Sequence, residues 1–162
     1  MDTNSEMHTH SNFYAMLTAA CQKNGKGTAI FNDKEKISYS SLKHEVETVA
    51  AYLQHEGVQY GDKVALVVSN SPEFIAAYFA ITSIGAVAVP LNVFLKSEEF
   101  SYILNDCDAR FMFASAPLAK ELKNIKAKTK VRKIIWIGET KAASGEDSYF
   151  DAARTFPGKP NL

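Results

Sequence analysis

Disulfides, membrane spans and nucleotide loops are all missing from this chain. Its 162 residues hold two cysteines, Cys21 and Cys107, too few for a disulfide framework. A reducing, cytoplasmic setting is expected. No apolar run is long enough to cross a bilayer. Ala76 to Pro90 comes closest, and it breaks at Gly85. Lys plus Arg and Asp plus Glu stand at 18 each, so the formal charge is zero. A nucleic-acid binder working through net charge is therefore not expected. Met1–His10 is polar and lacks the apolar centre of a secretory signal. There is no Gly-x-Ser-x-Gly elbow and no Gly-x-x-x-x-Gly-Lys-Ser/Thr phosphate loop. No Cys/His set has zinc spacing, and no metal site is predicted.

What remains is ample apolar material: 46% of the residues are hydrophobic, enough for one packed domain of this length. The pattern divides into a disordered polar tail over residues 1–10, an α/β unit over 11–155, and a Pro/Gly-rich linker over 156–162. His8 and His10 in the tail read as solvent-exposed, since no third metal ligand stands nearby.

Ser11–Asn24 has a helical stripe of Phe13, Met16, Leu17, Ala20 and Cys21, with Gly25 as a left-handed stop. Cys21 is expected to be a small buried hydrophobe. Thr28–Asn32 and Lys36–Tyr39 flank Asp33-Lys34-Glu35 as a hairpin. Ser40 or Ser41 then caps a helix to about Glu56, with His44 and His55 off its apolar stripe.

From Tyr60 the pattern tightens. Lys63–Val68 is a strand, and Ser71-Pro72 opens a helix to Ile84 that is apolar nearly all round. Gly85 ends that helix, and Ala86–Pro90 reads as a short buried strand. After the loop Leu91–Lys96, Ser97 caps a helix bearing Phe100, Ile103, Leu104 and Cys107. Ala109–Ser115 is a strand, Pro117–Ile125 a helix and Val131–Gly138 a strand. Gly138–Asp147 is a polar loop and Ser148–Arg154 a short helix. Strands alternating with helices predict an α/β fold, a largely parallel sheet with helices on both faces.

Few residues offer chemistry. Gly25-Lys26-Gly27 follows a helix and precedes a strand, the wrong order for a dinucleotide fingerprint. Asp106 and Asp108 around Cys107 read as a helix end and turn. Seven Lys or Arg lie between Lys120 and Lys133 against one acid, Glu121. That run is either a solvated helix face or a contact for a phosphate-rich ligand or a membrane surface.

One ordered series carries more. Ile37-Ser38-Tyr39-Ser40-Ser41-Leu42 is followed by Gly57-Val58-Gln59-Tyr60-Gly61-Asp62-Lys63-Val64-Ala65. Next come Asn70-Ser71-Pro72-Glu73 and Ala80-Ile81-Thr82-Ser83-Ile84-Gly85-Ala86-Val87-Ala88-Val89-Pro90-Leu91-Asn92. Ser97-Glu98-Glu99 and Tyr102–Arg110 close the series. It resembles the N-terminal region of the adenylate-forming acyl-CoA synthetases and ligases over about Ile37 to Ser115, with Ser41 where an acid is usual.

The resemblance implies the first part of that family's large N-terminal domain. It also implies a parent enzyme that activates a fatty or other hydrophobic acid with ATP and Mg²⁺, then passes the acyl group to coenzyme A. The family's phosphate loop, hinge and catalytic lysine have no match here. No catalytic residue is assigned, no cofactor is expected to bind the fragment tightly, and the fragment is expected to be inactive alone. By the same resemblance, Asn92 and Phe94, with Lys120 and Lys123, lie in the vicinity of coenzyme A. Two alternatives stand: an adenylation domain loading a carrier protein, and a free-standing, non-enzymatic α/β interaction module. The apolar helix Pro72–Ile84 raises self-association through an exposed face.

Overall fold

The computed structural model describes residues 12–32, 35–138 and 146–162. The tail over residues 1–10 and most of the loop Gly138–Asp147 fall outside them. The elements run α1 (Phe13–Asn24), β1 (Thr28–Asn32), β2 (Glu35–Ser38), α2 (Tyr39–His55), β3 (Lys63–Val67) and α3 (Pro72–Ser83). Then come β4 (Val87–Pro90), α4 (Ser97–Asp106), β5 (Phe111–Ser115), α5 (Ile125–Lys128), β6 (Lys133–Ile137) and β7 (Asp147–Ser148).

β1 and β2 form the expected antiparallel hairpin, separate from the main sheet. The main sheet has the order β4-β3-β5-β6-β7, and every neighbouring pair is parallel. The α/β class and its parallel sheet are as the sequence predicts.

Strand alternation builds two cores. Val64, Leu66 and Val68 of the β3 segment, Phe111 and Phe113 of β5, and Ile135 and Ile137 of β6 face one side, against α1, α2 and α3. Ala65, Val67, Met112, Ala114, Ile134 and Trp136 face the other, against α4 and α5. Leu66 and Phe113 are fully buried. Burial of each such side chain is worth about 1.5–3 kcal/mol. The apolar girth of α3 is used: Ala76, Ala77, Ala80 and Ile81 are buried, and the Phe13 ring of α1 meets Tyr78 edge-on and Phe79 at a tilt. No residue of α3 is fully exposed.

Helix starts follow capping chemistry, with two shifts. Asn12 Oδ1 accepts the Ala15 N–H at 2.8 Å, and Ser71 Oγ accepts the Phe74 N–H at 3.2 Å. The cap of α2 is Ser38 rather than Ser40 or Ser41; its Oγ accepts the Ser41 N–H at 3.0 Å. At α4 the cap position falls to Lys96, whose N–H donates to Glu99 Oε2 at 2.8 Å, and Ser97 is already helical.

Other expectations are corrected by packing. Gly25 is right-handed, with φ −57°. Its hydrogen is needed because a Cβ there would stand 2.6 Å from Ser40 Oγ and 2.9 Å from the Cys21 carbonyl. Cys21 is half-buried rather than buried, its Sγ 3.6 Å from Ser40 Oγ. β4 is an edge strand, with Val87 46% exposed and Pro90 exposed, not the buried strand expected. Pro90 suits that edge because it has no N–H to offer a further ladder. The helix expected over Pro117–Ile125 is a 3₁₀ turn, Ala116–Leu118, followed by irregular turns and the short α5. The helix expected over Ser148–Arg154 is a π-type turn, Tyr149–Ala153, led by the unpredicted β7.

The stretch 156–162 has no regular secondary structure but is fastened to α2. Gln54 Nε2 donates to the Asn161 carbonyl at 2.8 Å, and the Asn161 N–H donates to Gln54 Oε1 at 2.9 Å. Phe156 lies 5.0 Å from the His55 ring and 6.0 Å from that of Tyr52.

Candidate functional site

The chain leaves β3 through α3 to reach β4 on one side, then returns through α4 to β5 on the other. α3 covers one face of the sheet and α4 the opposite face. The order is that of a flavodoxin-like sheet, and the connections reverse direction between β3 and β5. In open parallel sheets, ligands collect beyond the carboxyl ends of the strands at this reversal.

Beyond those ends the β3–β5 ladder stops at Val67 and Ala114. Past it, the Ser69 N–H donates to Ser115 Oγ at 3.1 Å, bridging the two strand ends. On the β4 side of this crevice lies a pocket of about 460 Å³. Its walls are Val68, Ser69 and Asn70 after β3, Phe74 in the first turn of α3, and Pro90 to Phe94 after β4. The volume and mostly apolar lining suit a small organic group. None of the wall residues ionises, so the pocket can seat and orient a ligand but cannot itself move a proton. The loop after β4 is shaped by Asn92, whose Oδ1 accepts the Phe94 N–H at 2.9 Å, leaving the Phe94 ring 84% exposed.

The four residues singled out in the sequence separate into two places. Asn92 and Phe94 line this pocket. Lys120 and Lys123 do not; both are exposed on the turn between the 3₁₀ segment and α5. Leu91 and Leu95 of one loop and Leu118, Ala119 and Leu122 of the other share one apolar cluster, so both loops lie on the α4 side of the sheet.

Much of the basic run is engaged. Lys128 pairs with Glu98 at 2.5 Å, Lys130 with Asp108, and Lys133 with Glu56 and Asp147 at 2.9 Å each. Arg132 stacks 4.5 Å over the Phe111 ring. Lys130 holds the Asp108 carboxyl below its usual range. Asp108 itself sits in the left-handed region, with φ 55°, as a turn residue. Lys120, Lys123 and Lys126 make no ion pair among the described residues.

A larger cavity, about 640 Å³, lies between α2 and residues 154–162. Its acid, Glu47, is already held by Tyr14 and Lys43. None of its lining residues belongs to a strand of the main sheet or to the loops after β3 and β4, so the smaller pocket is the better candidate by position. Ser69, Asn70 and Ser115 are the site residues that sequence reading missed. Their one sequence signal is position, immediately after or at the end of an apolar strand.

A family model described as AMP-binding enzyme matches residues 7–161. The chain belongs to the AMP-binding enzyme family. A curated relative, the crotonobetaine/carnitine–CoA ligase of Salmonella typhi, is 35% identical over 132 residues, covering 77% of this chain and 25% of that protein. The chain thus spans about a quarter of the length of that relative. Among solved structures, an anthranilate CoA ligase in complex with anthranoyl-AMP superposes with a TM-score of 0.85 at 28% identity, covering 93% of this chain and 29% of the other. A long-chain-fatty-acid–CoA ligase from Archaeoglobus fulgidus gives a TM-score of 0.79 at 22% identity, covering 92% and 31%. The last likeness is one of fold. The fold of this AMP-binding family member is that of the N-terminal part of the adenylate-forming acyl-CoA ligases.

Proposed function

We propose that this chain is the N-terminal portion of an acid–thiol ligase. In the parent enzyme a carboxylate oxygen attacks the α-phosphorus of ATP, forming an acyl-adenylate and releasing pyrophosphate. The thiol of coenzyme A then attacks the acyl carbon, forming the thioester and releasing AMP. The observation that carries the reading is the family match across residues 7–161, together with relatives named as CoA ligases. Those names favour coenzyme A over a carrier-protein thiol as acceptor.

The acid is proposed to be hydrophobic, with fatty acids first. The named relatives act on chemically different acids, so a panel rather than one compound is the appropriate test. Within this chain, Asn92 and Phe94 are proposed to wall the thiol arm of coenzyme A, which is uncharged and suits a pocket without ionisable groups. Lys120 and Lys123 are proposed to meet its phosphates as point charges.

ATP and Mg²⁺ need donors of another kind. Among the described residues no group of three or more His, Cys, Asp or Glu could hold a metal ion. No step of adenylation is assigned to residues of this chain. Its sequence also holds no glycine-rich phosphate loop, and the isolated chain is proposed to be inactive.

The test is thioester formation by the full-length enzyme from fatty, aromatic and betaine acids with ATP, Mg²⁺ and coenzyme A. Acyl-CoA production from one class, with AMP and pyrophosphate released, is the expected result. Absence of product from every acid would overturn the reading. ATP–pyrophosphate exchange above background by the isolated chain would overturn its proposed inactivity.

A further inference from the structure

Ser115 is the last residue of β5, and it is 8% exposed. It faces the same side as Phe111 and Phe113 by strand alternation. A small polar side chain at a buried strand end calls for a partner. The partner is the Ser69 N–H, at 3.1 Å.

This bond does what the ladder no longer can. β3 and β5 pair through Val67 and Ala114 and no further. Two residues on, Ser69 has left the strand and opens the loop into α3. Its N–H would have no strand carbonyl to meet, and the Ser115 hydroxyl supplies the oxygen instead. Ser69 and Asn70 line the pocket together with Asn92 and Phe94. The Ser115 hydroxyl thus fixes a wall it does not itself line. Among the described residues it accepts this bond and donates none.

We propose that Ser115 is a positioning residue of the ligase, setting the Ser69-Asn70 wall against which the arm of coenzyme A is seated. The inference rests on the proposed function above. It assigns Ser115 a part in binding rather than in the chemical step, because its hydroxyl holds the loop and does not line the pocket.

The experiment uses two substitutions, Ser115→Ala and Ser115→Thr, with two readouts. Amide hydrogen exchange at Ser69, measured on this chain, reports whether the hydroxyl holds the loop. Exchange should quicken in Ser115→Ala and stay slow in Ser115→Thr. Steady-state kinetics of the full-length enzyme report whether the wall matters. Loss of one ordinary hydrogen bond predicts a KM for coenzyme A raised about threefold to tenfold in Ser115→Ala. kcat and the KM for the acid should stay within about twofold, and Ser115→Thr should restore the coenzyme A value. The proposal is overturned if Ser69 exchange is unchanged by Ser115→Ala. It also fails if the wild-type enzyme makes acyl-CoA while Ser115→Ala leaves its KM for coenzyme A untouched, or if the acid KM rises instead. A wild-type enzyme that makes no thioester sinks the ligase reading itself, and the exchange result then shows separately whether the hydroxyl bond exists.

Discussion

The Tyr52 hydroxyl donates to the Asp147 carboxylate across 95 positions of sequence. Lys133 donates to the same oxygen at 2.9 Å, so α2, β6 and β7 meet at one carboxyl group. Burial alone would raise the Asp147 pKa, but the bonds from Tyr52 and Lys133 outweigh it and hold the carboxyl below its usual range. A depressed folded-state pKa contributes stability above the unfolded value, about 3.9, and that contribution fades as pH falls through the folded value. Asp147→Ala should lower stability by about 1–3 kcal/mol at pH 7. Asp147→Asn should reduce the loss of stability on acidification below about pH 4. Thermal melts from pH 7 to pH 3 check both; identical pH profiles for wild type and Asp147→Asn would remove Asp147 from the acid response.

Two left-handed glycines separate handedness from crowding. Gly61 has φ +81° with open space where a Cβ would go, whereas Gly85 has φ +74° and a Cβ would meet the Tyr60 ring at 2.4 Å. Gly61→Ala should cost about 1–2 kcal/mol from handedness alone. Gly85→Ala should cost more, and adding Tyr60→Ala should narrow the difference because that ring is 89% exposed and supplies the three nearest atoms. Denaturant midpoints of the three variants decide it, and equal costs for the two glycine variants would show that the ring simply moves aside.

The lysine pair carries a kinetic prediction. Lys120→Glu with Lys123→Glu, in the full-length enzyme, should raise the KM for coenzyme A while sparing ATP–pyrophosphate exchange. The effect should shrink at high salt, since exposed charges are screened. Lys128→Glu with Lys130→Glu is the matched control: it reverses two cations already paired, with Glu98 and Asp108, and should leave that KM unchanged. Equal effects at the paired and unpaired sites would reduce the result to net charge.

Phe94 and Leu66 should behave as opposites. Leu66 is fully buried in the central strand, and Leu66→Ala should cost about 2–5 kcal/mol. Phe94 is 84% exposed, so Phe94→Ala should leave the melting temperature nearly unchanged while raising the KM for coenzyme A. Unaltered kinetics in Phe94→Ala would take that ring out of the binding wall.

The parallel sheet was legible because Lys63–Val68, Ala109–Ser115 and Val131–Gly138 are apolar runs separated by helical patterns, a local signal. Strand order was not: the continuous apolar run Ala86–Val89 reads as a buried strand, and only Pro90 hints at the edge. The same limit explains β7: Asp147-Ser148 has no strand character of its own, and its pairing with β6 goes with bonds from the distant Tyr52 and Lys133. Gly25 misled because glycine after a helix usually supplies a left-handed turn, whereas here Ser40 presses against it. At the candidate site, family resemblance singled out Asn92 and Phe94, which line the pocket, and Lys120 and Lys123, which do not. Ser69 and Ser115 were not legible, since their bond joins residues 46 positions apart and no local pattern encodes it.

Trp136 is the chain's single tryptophan, 4% exposed in β6, with its indole N–H donated to Glu146 Oε2 at 2.7 Å. Its ring sits on the α4–α5 side of the sheet. Intrinsic fluorescence therefore comes with a built-in address: a red shift on dilution into urea reports water reaching that one layer, while circular dichroism follows every helix at once. If the two signals change together, both sides of the sheet melt as a single cooperative unit.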